Sequence, residues 1–99
     1  GIIIEGPSSS DVTAIFPGKV AFSGGVKGYG ELVIINHGSR FFTVSANLSA
    51  RNKAEGEVVR EGEVVGQVGA NGVSRGGRLY FEIRRAGKGL NPQEWLKPR

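Results

Sequence analysis

The segment Gly76-Gly77-Arg78-Leu79-Tyr80-Phe81-Glu82-Ile83-Arg84-Arg85, GGRLYFEIRR, alternates with the period of a β-strand. Leu79, Phe81 and Ile83 fall on one side and read as core. Arg78, Tyr80, Glu82 and Arg84 fall on the other, a large, polar and partly aromatic face that follows two glycines. The strand defines the architecture to expect, and its second face defines the functional question.

Upstream segments follow the same pattern. Arg40–Leu48 sets Phe42, Val44, Ala46 and Leu48 against Thr43, Ser45 and Asn47, and Glu31–Asn36 reads as a fully buried strand. Val12–Phe16 and Lys19–Ser23 flank Pro17-Gly18, a turn signal. Gly24 to Gly30 is a glycine-rich connection. Glu-Gly-Glu-Val-Val occurs at 55–59 and again at 61–65. Two copies are too few for a solenoid. They read as two edge segments turning at Gly56 and Gly62, where glycine permits positive φ. Gly25, Gly28, Gly30, Gly66, Gly69 and Gly72 are likewise expected at turns. Asn91-Pro92 precedes Trp95, which reads as a core plug on a short terminal turn of helix. With 17 glycines in 99 residues and no helical periodicity, the expectation is one all-β domain. It would be a small barrel or sandwich of short antiparallel strands joined by glycine-rich turns.

Composition narrows the chemistry. With no Cys, disulfides and thiolate sites are excluded. A zinc centre needs about three protein ligands, and the single His, His37, reads as a turn residue bonded locally. There is no nucleophile elbow and no phosphate-binding loop. The net charge of +4 suits acidic partners or an anionic envelope surface. The basic residues are scattered without paired aromatics, so nucleic acid is not expected as a partner. No run approaches the ~20 apolar residues of a membrane span. The chain contains no Met, even at its first position, and is read as a piece of something longer.

Six segments, in order, resemble the LytM/lysostaphin-type family of zinc endopeptidases that cut peptidoglycan cross-links. GIII and DVTAIFPGKV are similar to its Gly-Ile-Asp-Ile opening and the turn that follows. GYGELVIINHG is similar to Gly-x-x-Val-x-Ile-x-His-Gly, and FTVSANLS to Thr-x-Tyr-x-His-Leu-Ser. EGEVVREGEVVGQVGANG resembles the Gly-Gln-x-Ile-Gly run, GGRLYFEIR the Gly-x-His-x-His-Phe-Glu strand, and NPQEWL the Asn-Pro-x-x-Trp-Leu ending.

The resemblance implies a LytM-like barrel-sandwich hybrid over residues 1–99, with the N-terminal part of the family domain, including one His ligand, ahead of Gly1. It also implies that the catalytic positions are replaced. Ile3 stands for the ligand Asp, Arg78 and Tyr80 for the His-x-His pair, and Asn47 for the catalytic His; His37 matches a histidine outside the metal site. The expectation is a degenerate domain with no catalytic residues, no metal and no cofactor. Its former cleft would be lined by Ile3, Tyr29, Ser45, Asn47, Arg78, Tyr80 and Arg84. Degenerate members of the EnvC and NlpD type activate cell-wall amidases during division. The ending of this chain looks especially like the EnvC type. The implied partner is an N-acetylmuramoyl-L-alanine amidase or its autoinhibitory helix, in the periplasmic cell envelope of a bacterium. A peptidoglycan-binding module, a residual zinc endopeptidase, an inert scaffold and a lipoyl- or biotinyl-type carrier stand as alternatives.

Overall fold

A computed structural model describes residues 2–70 and 76–85. The expected packing of Trp95, the turn after Asn91 and Gly72 lie outside them. The described chain is all strand: β1 (Ile2–Gly6), β2 (Asp11–Thr13), β3 (Gly18–Val26), β4 (Gly30–Asn36), β5 (Phe41–Arg51), β6 (Val58–Val59), β7 (Val64–Ala70) and β8 (Gly77–Arg85). Every pairing is antiparallel. The strands form one curled sheet in the order β1-β8-β7-β5-β4-β3-β6, with β2 added on β7 and β8 also pairing with β5. The all-β expectation holds.

The sheet buries both of its faces. Val33 and Ile35 point into a cluster with Val12, Val20, Leu48, Val65, Val68 and Leu79. Their neighbours Leu32 and Ile34 point the opposite way, into a cluster with Val26, Phe42, Val44 and Ala46. This is why ELVIIN is apolar without alternation: residues 32–35 are all buried.

β5 is the strand on which the fold turns. Its first part pairs with β8, from Phe41↔Arg85 to Ala46↔Tyr80, and its last part pairs with β7 from Leu48↔Val68 onward. Between them Asn47 adopts φ +63° and is the extra residue of a bulge, since Leu48 faces Glu31 while Ala46 faces Leu32. A bulge shifts the side-chain period by one. Leu48 therefore joins the cluster opposite to that of Phe42, Val44 and Ala46, and the simple alternation expected over 42–48 breaks at Asn47.

The Glu-Gly-Glu-Val-Val repeat is one turn made twice. Gly56 and Gly62 have φ +92° and +84° as expected. The amide of Glu57 donates to the Ala54 carbonyl and that of Glu63 to the Arg60 carbonyl, 3.1 Å each. Each of these glutamates accepts in return from the opening amide of its turn, Ala54 N–H at 2.9 Å and Arg60 N–H at 2.7 Å. Lys53 joins the two turns through Glu63 at 2.5 Å and Glu57 at 4.0 Å. Only the first copy leads to an outer strand; the second leads into β7, which has neighbours on both sides.

Four other expected placements fail. Gly66 and Gly69 lie inside β7 rather than in turns, because the strand passes against the β5 backbone. A Cβ on Gly66 would meet the Ala50 carbonyl oxygen at 2.7 Å. Gly25 lies inside β3. Ile83, expected in the core, is 58% exposed, because β8 runs past the edge of the cluster that buries Leu79.

Candidate functional site: a cavity at the junction of three strands

Register decides which side chains meet. Tyr80 pairs directly with Ile3 of β1 and Ala46 of β5, so these three share a face. The Gly28–Gly30 tip of the β3–β4 hairpin folds over the same face. Gly28 and Gly30 take φ +89° and +76°, and the Tyr29 amide closes the turn on the Val26 carbonyl at 2.9 Å. The Tyr29 carbonyl then accepts the Asn47 amide at 3.0 Å, fixing the tip to the bulge. The Tyr29 and Tyr80 rings meet edge to face, centroids 5.5 Å apart and planes at 63°. Such a pair contributes ~0.5–1.5 kcal/mol beyond its area.

These elements enclose an open cavity of about 410 Å³ lined by Ile3, Gly28, Tyr29, Gly30, Asn47, Arg78 and Tyr80. Five of the seven side chains expected in a cleft thus come together: Ile3, Tyr29, Asn47, Arg78 and Tyr80. Ser45 does not. It pairs with Val33 and Phe81, which places it on the opposite face, and it is buried. The bulge explains the difference, since parity counted back from Asn47 puts Ser45 on the wrong side. Arg84 does not line the cavity either; it binds Glu82.

Asn47 has a structural task. Its side-chain amide donates to the carbonyl of Arg78 on β8, at 2.5 Å, and to that of Ala70 on β7, at 3.2 Å. One side chain from β5 thereby pins the point where β7 and β8 diverge. Asparagine suits the position because it tolerates a left-handed backbone and carries a two-proton donor.

Glu82 is the residue that alternation did not single out. It is buried and faces Val44 across the ladder. Its two oxygens accept from the Tyr80 hydroxyl and the Arg84 guanidinium. Burial pushes its pKa up, but these two hydrogen bonds and the Arg84 charge pull harder, and the carboxyl sits below its ordinary value. Glu82 therefore holds both Tyr80 and Arg84 in place. The spacing of Tyr80, Glu82 and Arg84 in the sequence was the available signal.

The donor set does not suit zinc. The cavity offers Ile3, an arginine, an asparagine committed to two carbonyls, and phenols, but no carboxylate, imidazole or thiolate. Among the described residues no three His, Cys, Asp or Glu side chains converge. His37 is far from this set in role: Nδ1 lies 2.9 Å from the Pro17 carbonyl oxygen and Nε2 2.8 Å from Thr43 Oγ1. This is the local bonding expected of it.

A curled antiparallel sheet of this kind is the fold of LytM/lysostaphin-type domains. The chain belongs to peptidase family M23, whose model matches residues 1–92. It is 34% identical over 96 residues to the murein hydrolase activator EnvC of Escherichia coli, covering 97% of this chain and 23% of EnvC. It is 42% identical over 92 residues to the DD-carboxypeptidase/endopeptidase Mpg of Neisseria meningitidis, covering 93% of this chain and 21% of Mpg. The chain thus spans under a quarter of the length of these relatives. A solved structure, the catalytic domain of a mutant prophage-encoded M23 protein EnpA from Enterococcus faecalis, superposes with TM-score 0.77 at 30% identity. That match covers 88% of this chain and 68% of the other.

Proposed function

We infer that this domain is a non-catalytic member of its family. In this reading it binds and activates an N-acetylmuramoyl-L-alanine amidase through the cavity, in the periplasmic cell envelope. The observation that carries the reading is the lining itself. Among the described residues the cavity is lined by an isoleucine, two tyrosines in contact and an arginine, with no carboxylate, imidazole or thiolate. These are residue types of binding hot spots rather than metal ligands. The likeness to a protein named as a murein hydrolase activator supports the same reading.

The mode that fits is an amphipathic segment laid into the cavity, its apolar face against Ile3, Tyr29 and Tyr80. An amidase whose autoinhibitory helix binds here only when released would shift to its active state, by the difference in affinity between the two states. Arg84, outside the cavity but on the same strand, would meet acidic groups at its margin. Peptidoglycan itself would be a secondary ligand at most.

The test is release of dye from labelled peptidoglycan by purified amidase, with and without the domain. Stimulation lost in Tyr80→Ala supports the reading; a folded domain that never stimulates refutes it. The likeness to Mpg makes peptidase activity the competing reading. Metal analysis of the purified protein separates the two, since stoichiometric tightly bound zinc would overturn the non-catalytic assignment.

A further inference from the structure

Arg78 is the one charged side chain among the described residues that line the cavity. Its Nε is enclosed without an acceptor among the described residues, and its guanidinium is in none of their ion pairs. Two carboxylates lie nearest on these strands: Glu5 faces Arg78 across the β1–β8 ladder but is exposed and forms no ion pair with it, and Glu82, further along β8, is taken by Tyr80 and Arg84. A half-buried guanidinium whose Nε has no acceptor costs stability unless something outside the fold offsets it. The two flanking arginines of β8 are placed differently. Arg84 is bound to Glu82, and Arg85 stacks 5.5 Å from the centroid of the Phe41 ring.

We propose that Arg78 is a carboxylate anchor. It takes one Asp or Glu side chain of the protein segment that fills the cavity, while Ile3, Tyr29 and Tyr80 cover the apolar residues beside that acid. This rests on the proposed activator function and names the chemistry its partner must carry. Charge complementarity selects the acid: among the described residues the lining holds a cation, and Glu5, which faces it across the ladder, is exposed and outside the lining. The apolar surround selects a protein segment over a short wall peptide of small residues, which would leave Ile3, 52% exposed in the free domain, largely uncovered. Arginine suits the task because its planar fork grips a carboxylate through two N–H groups. Arg78 thus serves binding and not folding.

The test uses the full-length protein, its amidase, and synthetic peptides of the amidase regulatory segment in which each Asp or Glu is changed in turn to Asn or Gln. Arg78→Met is expected to keep or raise the melting temperature and to weaken peptide binding roughly thirtyfold, the scale of a truncated interfacial charge pair. One acidic substitution should cause a similar loss in the wild type and little further loss in Arg78→Met. Arg78→Glu should bind the peptide carrying Lys at that same position. A melting temperature several degrees lower in Arg78→Met would make the residue a structural support and overturn the proposal. Unchanged binding in Arg78→Met, with binding lost in Tyr80→Ala, would overturn the anchor and leave the activator reading standing. Absence of peptide binding by the wild-type protein would overturn both. Binding of soluble muropeptides, abolished by Arg78→Met and by amidation of their carboxylates, would move the anchor's ligand from protein to wall and overturn the source assigned here.

Discussion

The carbonyl oxygen of Asn47 occupies the space that a side chain on Gly69 would need: a Cβ there would stand 2.2 Å from it. The neighbour is backbone, already bent by the bulge, so it has little room to yield. Gly69→Ala is expected to destabilise by about 1–3 kcal/mol or more, as overpacking does. Gly56→Ala is the control, because its Cβ would meet nothing within 4 Å. That variant should cost only about 1–2 kcal/mol for the left-handed backbone. Denaturant melts of the two variants check the order.

Asn47 should be replaceable by none of the usual substitutes. Asn47→Ala loses two hydrogen bonds to Ala70 and Arg78 and keeps the φ of +63°. The expected loss is about 2–4 kcal/mol, from unmet carbonyls and backbone strain together. Asn47→Gly relieves the strain and keeps the bond loss, and should fall between alanine and wild type. Asn47→Asp sets a carboxylate against two carbonyl oxygens and should be worst at neutral pH. Thermal melts at pH 7 and pH 4 test this ranking, with the aspartate variant partly recovering once protonated.

Glu82 gives the fold a defined acid response. Its pKa is lowered on folding, so its contribution is fully present above the unfolded carboxylate value of about 4.3. It is lost as pH falls through the lower folded value. Glu82→Gln should be less stable than wild type at pH 7, and the gap should close in acid. Arg84→Met removes one of the groups that lower this pKa and should move the loss to higher pH. Melting temperatures between pH 2.5 and pH 7 are the measurement.

Two tyrosines and a serine on opposite faces test the proposed activator function. Tyr29→Ala and Tyr80→Ala should each reduce amidase stimulation at least tenfold, the scale of a lost aromatic hot spot. Ser45→Ala, on the far side of β5 against Val33 and Phe81, should leave it unchanged. Dye-release assays with domains of matched melting temperature read this out. Equal losses for all three would mean that the cavity is not the binding surface.

Much of this was written locally. Period-2 alternation identifies the β8 strand, the two Glu-Gly-Glu turns follow from glycine at the position of positive φ, and the motif order carries the family. Ile3, Asn47, Arg78 and Tyr80 were expected together because the resemblance assigns them to neighbouring motif positions, and they do line one cavity. Ser45 and Arg84 were misplaced for different reasons. A bulge changes strand parity without any local mark in the sequence, and an ion pair with Glu82 draws Arg84 aside. Gly66 and Gly69 read as turns because close approach of two backbones leaves the same residue type as a turn does.

By itself, then, the amino-acid order determined an all-antiparallel sheet, its turns, its family, and which side chain types stand at each motif position. Those properties depend on local sterics and on side-chain identity. Tertiary structure alone decided which side chains share a cavity, that Asn47 is a fastener between β5, β7 and β8, that Glu82 is the buried anchor of Tyr80 and Arg84, and that the Arg78 Nε is enclosed without an acceptor among the described residues. Each of these depends on distances between strands far apart in the chain, set by register and by one left-handed residue.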